Sequence, residues 1–332
     1  MAFSKNIFML SFLVCLILLC SSCSPRITLF RTPAETPLKE RLISGRPDSG
    51  TPKILLIPLR GFISDYPTSG LLGARPSMVQ DVVAQLRLAQ KDTNIKAVVL
   101  MVNSPGGTIT ASDILYHEIS RYKNASNATV TACFLDIATS GAYYASLAAD
   151  KIFAHPTSLT GSIGTIMLMP SLDGLMGKIG VEVNAYKSGK LKDMGSLFRK
   201  PTPEEQNLFK DLIDDLNSRF LHLAQTHRQL TKDQLKEVSS GRVFTARQAL
   251  QMGLVDKIGY IDDVFASIRK QNNLPSETAI VAYRRAETAN DNEYNITTAF
   301  DSKPITLMEL GPLSTASKIK AGLYYIWEPA LP

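Results

Sequence analysis

Ser140 and Lys192 are the two residues whose types and surroundings could do chemistry together. Ser140 stands in Asp136-Ile137-Ala138-Thr139-Ser140-Gly141-Ala142-Tyr143-Tyr144-Ala145, between an apolar run and a helix-forming run. Lys192 stands in Lys187-Ser188-Gly189-Lys190-Leu191-Lys192-Asp193-Met194-Gly195-Ser196. A serine hydroxyl is a weak nucleophile until a base takes its proton. Burial disfavours the ammonium form of a lysine and frees the amine for that task. The pair reads as a Ser-Lys dyad, a hydrolase that does not use histidine. His117, His222 and His227 fall in helical runs, and His155 precedes Pro156 in a loop. None sits in a segment resembling a catalytic turn, although triads are spatial and spacing alone leaves one open.

Asn103-Ser104-Pro105-Gly106-Gly107 is the second chemical signal. Glycines after a strand let the backbone turn sharply and approach a ligand. A helix start just beyond offers unpaired N–H groups to an anion. The turn therefore suits half of an oxyanion hole. Each feature has a plainer reading. The glycine turn alone is a structural turn, Ser140 alone is a helix N-cap, and Lys192 alone is a solvated charge. The Gly-x-Ser-x-Gly elbow of the common α/β-hydrolases is not matched.

The elements that must position these residues alternate. Strands are expected at Lys53–Leu59, Ala97–Val102, Val130–Leu135 and Asp150–Ala154. Helices are expected at Ser77–Leu88, at Thr110–Tyr122 and from Ser140 or just after it. Such alternation predicts an α/β fold with covered, largely parallel sheets. A longer helix should begin at Thr202-Pro203-Glu204-Glu205, where Thr caps and Pro takes the first position. Its stripe of Leu208, Leu212, Leu216, Phe220 and Leu223 serves core or subunit packing. Thr231 and Thr245 should cap two further helices, the second ending near Gly253. Residues 285–304 read as a flexible segment. Ile319–Trp327 is apolar again and is expected to dock on the body or on a partner.

The N-terminus reads as a secretory leader. Lys5 precedes the apolar run Ile7–Cys20, and Ser21, Ser22 and Cys23 follow. The run is short of the roughly 20 residues that span a bilayer. Leu19-Cys20-Ser21-Ser22-Cys23 resembles a lipoprotein processing site with Cys23 as the lipid-bearing residue, although Cys20 stands where Leu is usual. An uncleaved anchor and plain secretion are the alternatives, and all three send the rest of the chain across a membrane. The expected organisation is a leader or anchor at 1–23, a Pro- and Ser-rich linker at 24–52, a catalytic domain at 53–275 and a C-terminal extension at 276–332. The formal net charge of +6 is scattered, which argues against a nucleic-acid partner. With Cys15, Cys20 and Cys23 in the leader, Cys133 is alone in the body. It can form neither an internal disulfide nor a CxxC metal site, and its apolar run predicts a buried core thiol.

Together these segments resemble the signal-peptide-peptidase A family, also called protease IV, serine peptidases of the bacterial envelope. The glycine turn at 103–107, the block Ala138–Ala145, Gly161-Ser162-Ile163-Gly164 and the lysine block with Phe198-Arg199 occur in family order across roughly residues 53–275. The resemblance implies Ser140 as nucleophile, Lys192 as general base and Ser162 as the serine that orients the lysine. It implies the backbone N–H groups of Gly107 and Gly141 as the oxyanion hole, with no cofactor and no metal. Ala142 stands where the family has a second Gly, and its methyl is expected to narrow a substrate's approach. The implied fold is of the Clp protease/crotonase type, stacked β-β-α units with a helical C-terminal part. The implied activity is endopeptidase cleavage of released signal peptides and other hydrophobic peptides by a membrane-anchored enzyme on the extracytoplasmic side. The implied assembly is a homo-oligomeric ring of eight, each site shared between protomers. Two rivals were weighed: a crotonase-like acyl-CoA enzyme, disfavoured by the leader, and a catalytically silent ring, disfavoured by the joint presence of Ser140, Lys192 and Ser162.

Overall fold

The computed structural model describes residues 36–46, 50–70, 73–286, 291–295 and 322–330. The leader with Cys23 lies outside the described residues, as do much of the linker and of residues 285–321.

The chain opens with β1 (Lys39–Ser44), β2 (Lys53–Arg60) and a short antiparallel pair, β3 (Thr68–Gly70) with β4 (Gly73–Arg75). Then come α1 (Met78–Ala89), β5 (Ile95–Ser104), β6 (Gly106–Thr108), α2 (Ile109–Ala125), β7 (Thr129–Thr139), α3 (Gly141–Ser146) and β8 (Lys151–Ala154). β9 (Leu159–Gly161), β10 (Ile166–Leu168) and α4 (Asp173–Ile179) follow, and after them α5 (Pro203–Arg228) and α6 (Lys232–Val238). The last elements are β11 (Val243–Thr245), α7 (Ala246–Gln251), β12 (Lys257–Ile258), α8 (Ile261–Gln271), β13 (Ala279–Arg284) and β14 (Gly322–Ile326).

The main sheet runs β1-β13-β2-β5-β7-β8-β12, with β9 beside the end of β7 and β11 beside β9. From β13 to β12 every neighbour is parallel, as the alternation of strands and helices predicts. A parallel sheet must be covered on both faces, so its strands read as continuous apolar runs. In β2, Leu55, Ile57 and Leu59 face one side and Ile54 and Leu56 the other. The first face carries α1, α2, α3 and part of α5; the second carries α8 through Ile261, Val264, Phe265 and Ile268. Each such side chain, fully buried, stabilises the fold by about 1.5–3 kcal/mol. Cys133 lies in the second layer, and burial pushes its thiol up to about 12.

Local signals read correctly where they were local. Ser77, Thr202, Thr231 and Thr245 each accept a backbone N–H and form capping boxes. The sheet itself takes in segments on both sides of 53–275: β1 pairs antiparallel with β13, and β13 lies against β2. α5 also turns differently from its leucine stripe. Glu205, Phe209, Phe220 and Ala224 are its buried positions, while Leu212 is exposed. The N-terminal half of α5 lacks a sheet beneath it, so only its C-terminal half follows the expected face. Gly322–Ile326 does dock on the body, as β14 between β10 and β6.

Candidate active site

Ser140 closes β7 and precedes α3, the position of a helix N-cap. The other Ser and Thr caps, including Thr108 before α2, spend their hydroxyls on the helix. Ser140 does not: its side chain makes no capping bond, and its buried Oγ has no hydrogen-bond partner among the described residues. Its backbone is at φ 54° and ψ −117°. L-residues rarely adopt such a conformation, which costs on the order of 1–3 kcal/mol and persists only where the surroundings enforce it. Here the Ser140 N–H donates to the Gly161 carbonyl (2.7 Å), and the Ser140 carbonyl accepts from the Tyr144 N–H (2.8 Å).

Ser162 is held by the same device one strand away. Thr139 of β7 is the register partner of Gly161 of β9, so the two serines leave equivalent ends of adjacent parallel strands. Ser162 is also at positive φ (50°) and nearly buried, its N–H donating to the Arg242 carbonyl at 2.8 Å. Gly161 must be glycine: at φ 89°, a Cβ would lie 2.6 Å from the Phe244 ring.

The glycine turn reaches the same place. Gly106 is at φ 101°, and a Cβ on it would meet the Gly141 nitrogen at 2.8 Å. A Cβ on Gly141 would lie 3.2 Å from the Gly107 nitrogen and 2.3 Å from Ser112 Oγ. The two backbone nitrogens therefore converge beside the nucleophile turn, the arrangement an oxyanion hole needs. Ser112 Oγ itself donates to the Thr108 carbonyl (2.9 Å), fixing the wall behind Gly141. Ala142 is fully buried in the core, so its methyl takes up packing space rather than the approach to Ser140.

Lys192 stands elsewhere. It lies in a turn-rich arm after α4, and residues 177–192 are all exposed. No hydrogen bond joins its amine to Ser140 or Ser162 among the described residues. The arm is nonetheless anchored at its far end. Asp193 accepts from Lys187 (2.7 Å) and from Arg199 (2.8 Å), and Arg199 also holds Glu205 at the start of α5 (2.5 Å). The Arg199 hydrogen bonds hold the Asp193 carboxyl well below the usual carboxylate range and lower Glu205 to about 2.

The structure thus gathers Ser140, Ser162, Gly107 and Gly141 and leaves Lys192 apart. Sequence reasoning did not single out the aromatic wall beside them. Tyr144, one turn after Ser140, stacks on Tyr325 of β14 (5.2 Å between centroids), and Phe220 of α5 packs on both. The Tyr144 hydroxyl donates to Asp113, which also pairs with Arg219. The paired tyrosines after the serine were the available signal; Phe220 was read only as one of a stripe. Of the histidines, His227 bonds Tyr116 and His155 bonds Thr157, and none bonds Ser140.

Comparison with known proteins followed this geometry. Residues 123–275 match the model of peptidase family S49. A candidate signal peptide peptidase SppA from Enterococcus faecium is 37% identical over 69% of this chain and 66% of its own length, just under two thirds. A candidate protease of Synechocystis, slr0021, is 34% identical over 58% of this chain and 68% of its own length. Among solved structures, a mutant of ClpP1 from Listeria monocytogenes matches with a TM-score of 0.41 and 17% identity, over 63% of this chain and 92% of that one.

Proposed function

The chain belongs to peptidase family S49, and from that premise we propose that it is a serine-type endopeptidase with Ser140 as nucleophile and Lys192 as general base. The observation that carries this reading is the Ser140 hydroxyl. It is unpartnered and held at a strained backbone position where every comparable residue caps its helix. The strain contributes nothing to packing, so its use is to aim Oγ.

In the proposed reaction, Ser140 Oγ attacks the carbonyl carbon of a peptide bond while the Lys192 amine takes its proton. The N–H groups of Gly107 and Gly141 hold the resulting oxyanion. Collapse breaks the C–N bond, and Lys192 returns the proton to the departing amine. Water then attacks the Ser140 ester, gives its proton to Lys192 and releases the acid.

Lys192 reaches a serine of a neighbouring protomer in this scheme, and Ser162 orients it there. Two features support that. The amine is unengaged within its own chain, and its arm exposes Leu175, Ile179, Val183 and Tyr186, the last at 98%. Apolar side chains at such density suit burial by a second copy, and covering the arm takes the amine out of water, the condition under which a lysine serves as a base. The ring of eight is part of this reading. So are the tether at the bacterial cell envelope and the substrates, released signal peptides and other hydrophobic peptides.

The test is labelling by a fluorophosphonate together with hydrolysis of a fluorogenic apolar peptide. Ser140→Ala and Lys192→Ala should each be inactive, and an equimolar mixture should recover part of the activity through mixed sites. Near-normal turnover by Lys192→Ala would end the lysine-base mechanism.

A further inference from the structure

β14 lies where a substrate strand would lie. It is antiparallel to β6 on one edge and to β10 on the other. Its neighbour Trp327 donates its N–H to the Pro105 carbonyl at 2.9 Å. Bonded pairs alternate along an antiparallel ladder, so Tyr325 and Gly107 form the next bonded pair. The Tyr325 carbonyl therefore accepts the Gly107 N–H, one of the two donors assigned to the oxyanion. The second donor is close as well: a Cβ on Gly141 would fall 3.0 Å from the Tyr325 oxygen, and one on Gly106 would fall 2.2 Å from it. Among all carbonyls described, that of Tyr325 stands at the convergence of both glycine backbones.

The side chain belonging to that carbonyl is equally placed. Tyr325 is fully buried between Tyr144 and Phe220, and its hydroxyl donates to the Leu216 carbonyl at 2.6 Å. The recess thus offers two aromatic walls and, at its end, a hydrogen-bond acceptor matched to a phenol. A strand with its carbonyl in the hole and its side chain in the adjoining recess has the binding mode of a peptide at the bond to be cut.

Resting on the peptidase reading above, we propose that residues 322–327 are a built-in substrate mimic. They fill the cleft from within the chain, with Tyr325 in the recess that selects the residue on the acyl side of the scissile bond. External peptides compete with this segment, and the recess favours tyrosine or another large aromatic there. A tethered competitor acts at an effective concentration in the millimolar range, so its effect falls on KM rather than kcat.

The test uses the full chain with Tyr325→Gly, which empties the recess but leaves the strand, and Tyr325→Phe, which removes only the bond to Leu216. The readouts are steady-state hydrolysis of fluorogenic peptides and the rate of fluorophosphonate labelling at Ser140. Tyr325→Gly should lower KM about tenfold with kcat unchanged and label faster, with Tyr325→Phe intermediate. The free hexapeptide Gly-Leu-Tyr-Tyr-Ile-Trp should then inhibit Tyr325→Gly competitively. Peptides with Tyr at the acyl position should exceed those with Ala by at least about tenfold in kcat/KM. If Tyr325→Gly misfolds by circular dichroism, the graded response of Tyr325→Phe decides. Active wild type with KM and labelling rate unmoved in both variants overturns the proposal while sparing the peptidase reading. Absence of labelling and hydrolysis in every form overturns both.

Discussion

The turn that carries Ser140 and the arm that carries Lys192 are built in opposite ways. The turn is buried, bonded through its backbone on both sides and strained. The arm has no buried residue in α4, runs exposed to Lys192 and is fixed by ion pairs at its end. One half of the dyad is fully specified by its own chain; the other is presented outward. The contrast teaches that a nucleophile needs a fixed direction, which a sheet edge supplies, whereas a lysine base needs desolvation, which a partner surface can supply.

The largest effect that would test the contrast is at the rigid side. Ser140→Ala should lower kcat on the order of 10⁴-fold or more. Ser140→Gly should be as inactive yet raise the melting temperature, because glycine accepts φ 54° without strain. A lowered melting temperature would show that the turn is not strained as described. Next comes the donor wall. Gly141→Ala drives a methyl against Ser112 Oγ and the Gly107 nitrogen, and should cost about 10²–10³ in kcat with KM little changed.

The arm should respond more mildly. Arg199→Ala releases Asp193 and Glu205 and should lower kcat roughly tenfold through misplacement of Lys192. Fluorophosphonate labelling should fall with it, while Arg199→Lys recovers only part, since one ammonium cannot bridge both carboxylates as the fork does. Labelling and turnover equal to wild type would mean that the anchor does not position the arm. The smallest effect is in pH. Both carboxylates are depressed in the fold, so their contribution is present above the ordinary carboxylate range and is lost as pH falls toward about 2. The melting-temperature gap between wild type and Arg199→Ala should hold steady above pH 5 and close below pH 4. A gap that persists at pH 2 would assign it to packing.

What was legible in the sequence divides along the same line. Capping boxes at Thr202, Thr231 and Thr245 depend on four neighbouring residues and were visible as such. The strained serine turn was visible through its glycine and the apolar run before it. β1 and β13 were not assigned to the sheet, because their membership depends on pairing with distant residues: Ala279 meets Lys53. Leu212 was assigned inward by a periodicity that continues past the edge of the layer it should cover. Ile319–Trp327 was read as a docking segment, but which carbonyl it offers follows only from register, and a one-residue slip would present Tyr324 or Ile326 instead. The ordered motif blocks made Lys192 legible as a residue while saying nothing of its surroundings within one chain.

The place of β13 has a consequence for synthesis. It sits between β1 and β2 and pairs with both, although most of the chain is made before it appears. Until residue 284 has emerged, one edge of β2 has no parallel neighbour and Ile54 and Leu56 lack part of their cover. Long-range parallel pairing is slow because chain closure must precede its reward. A nascent chain of this kind therefore stays loosely folded until nearly complete. That favours threading through a membrane pore during translation, and it delays the strained serine turn until there is a finished sheet to hold it.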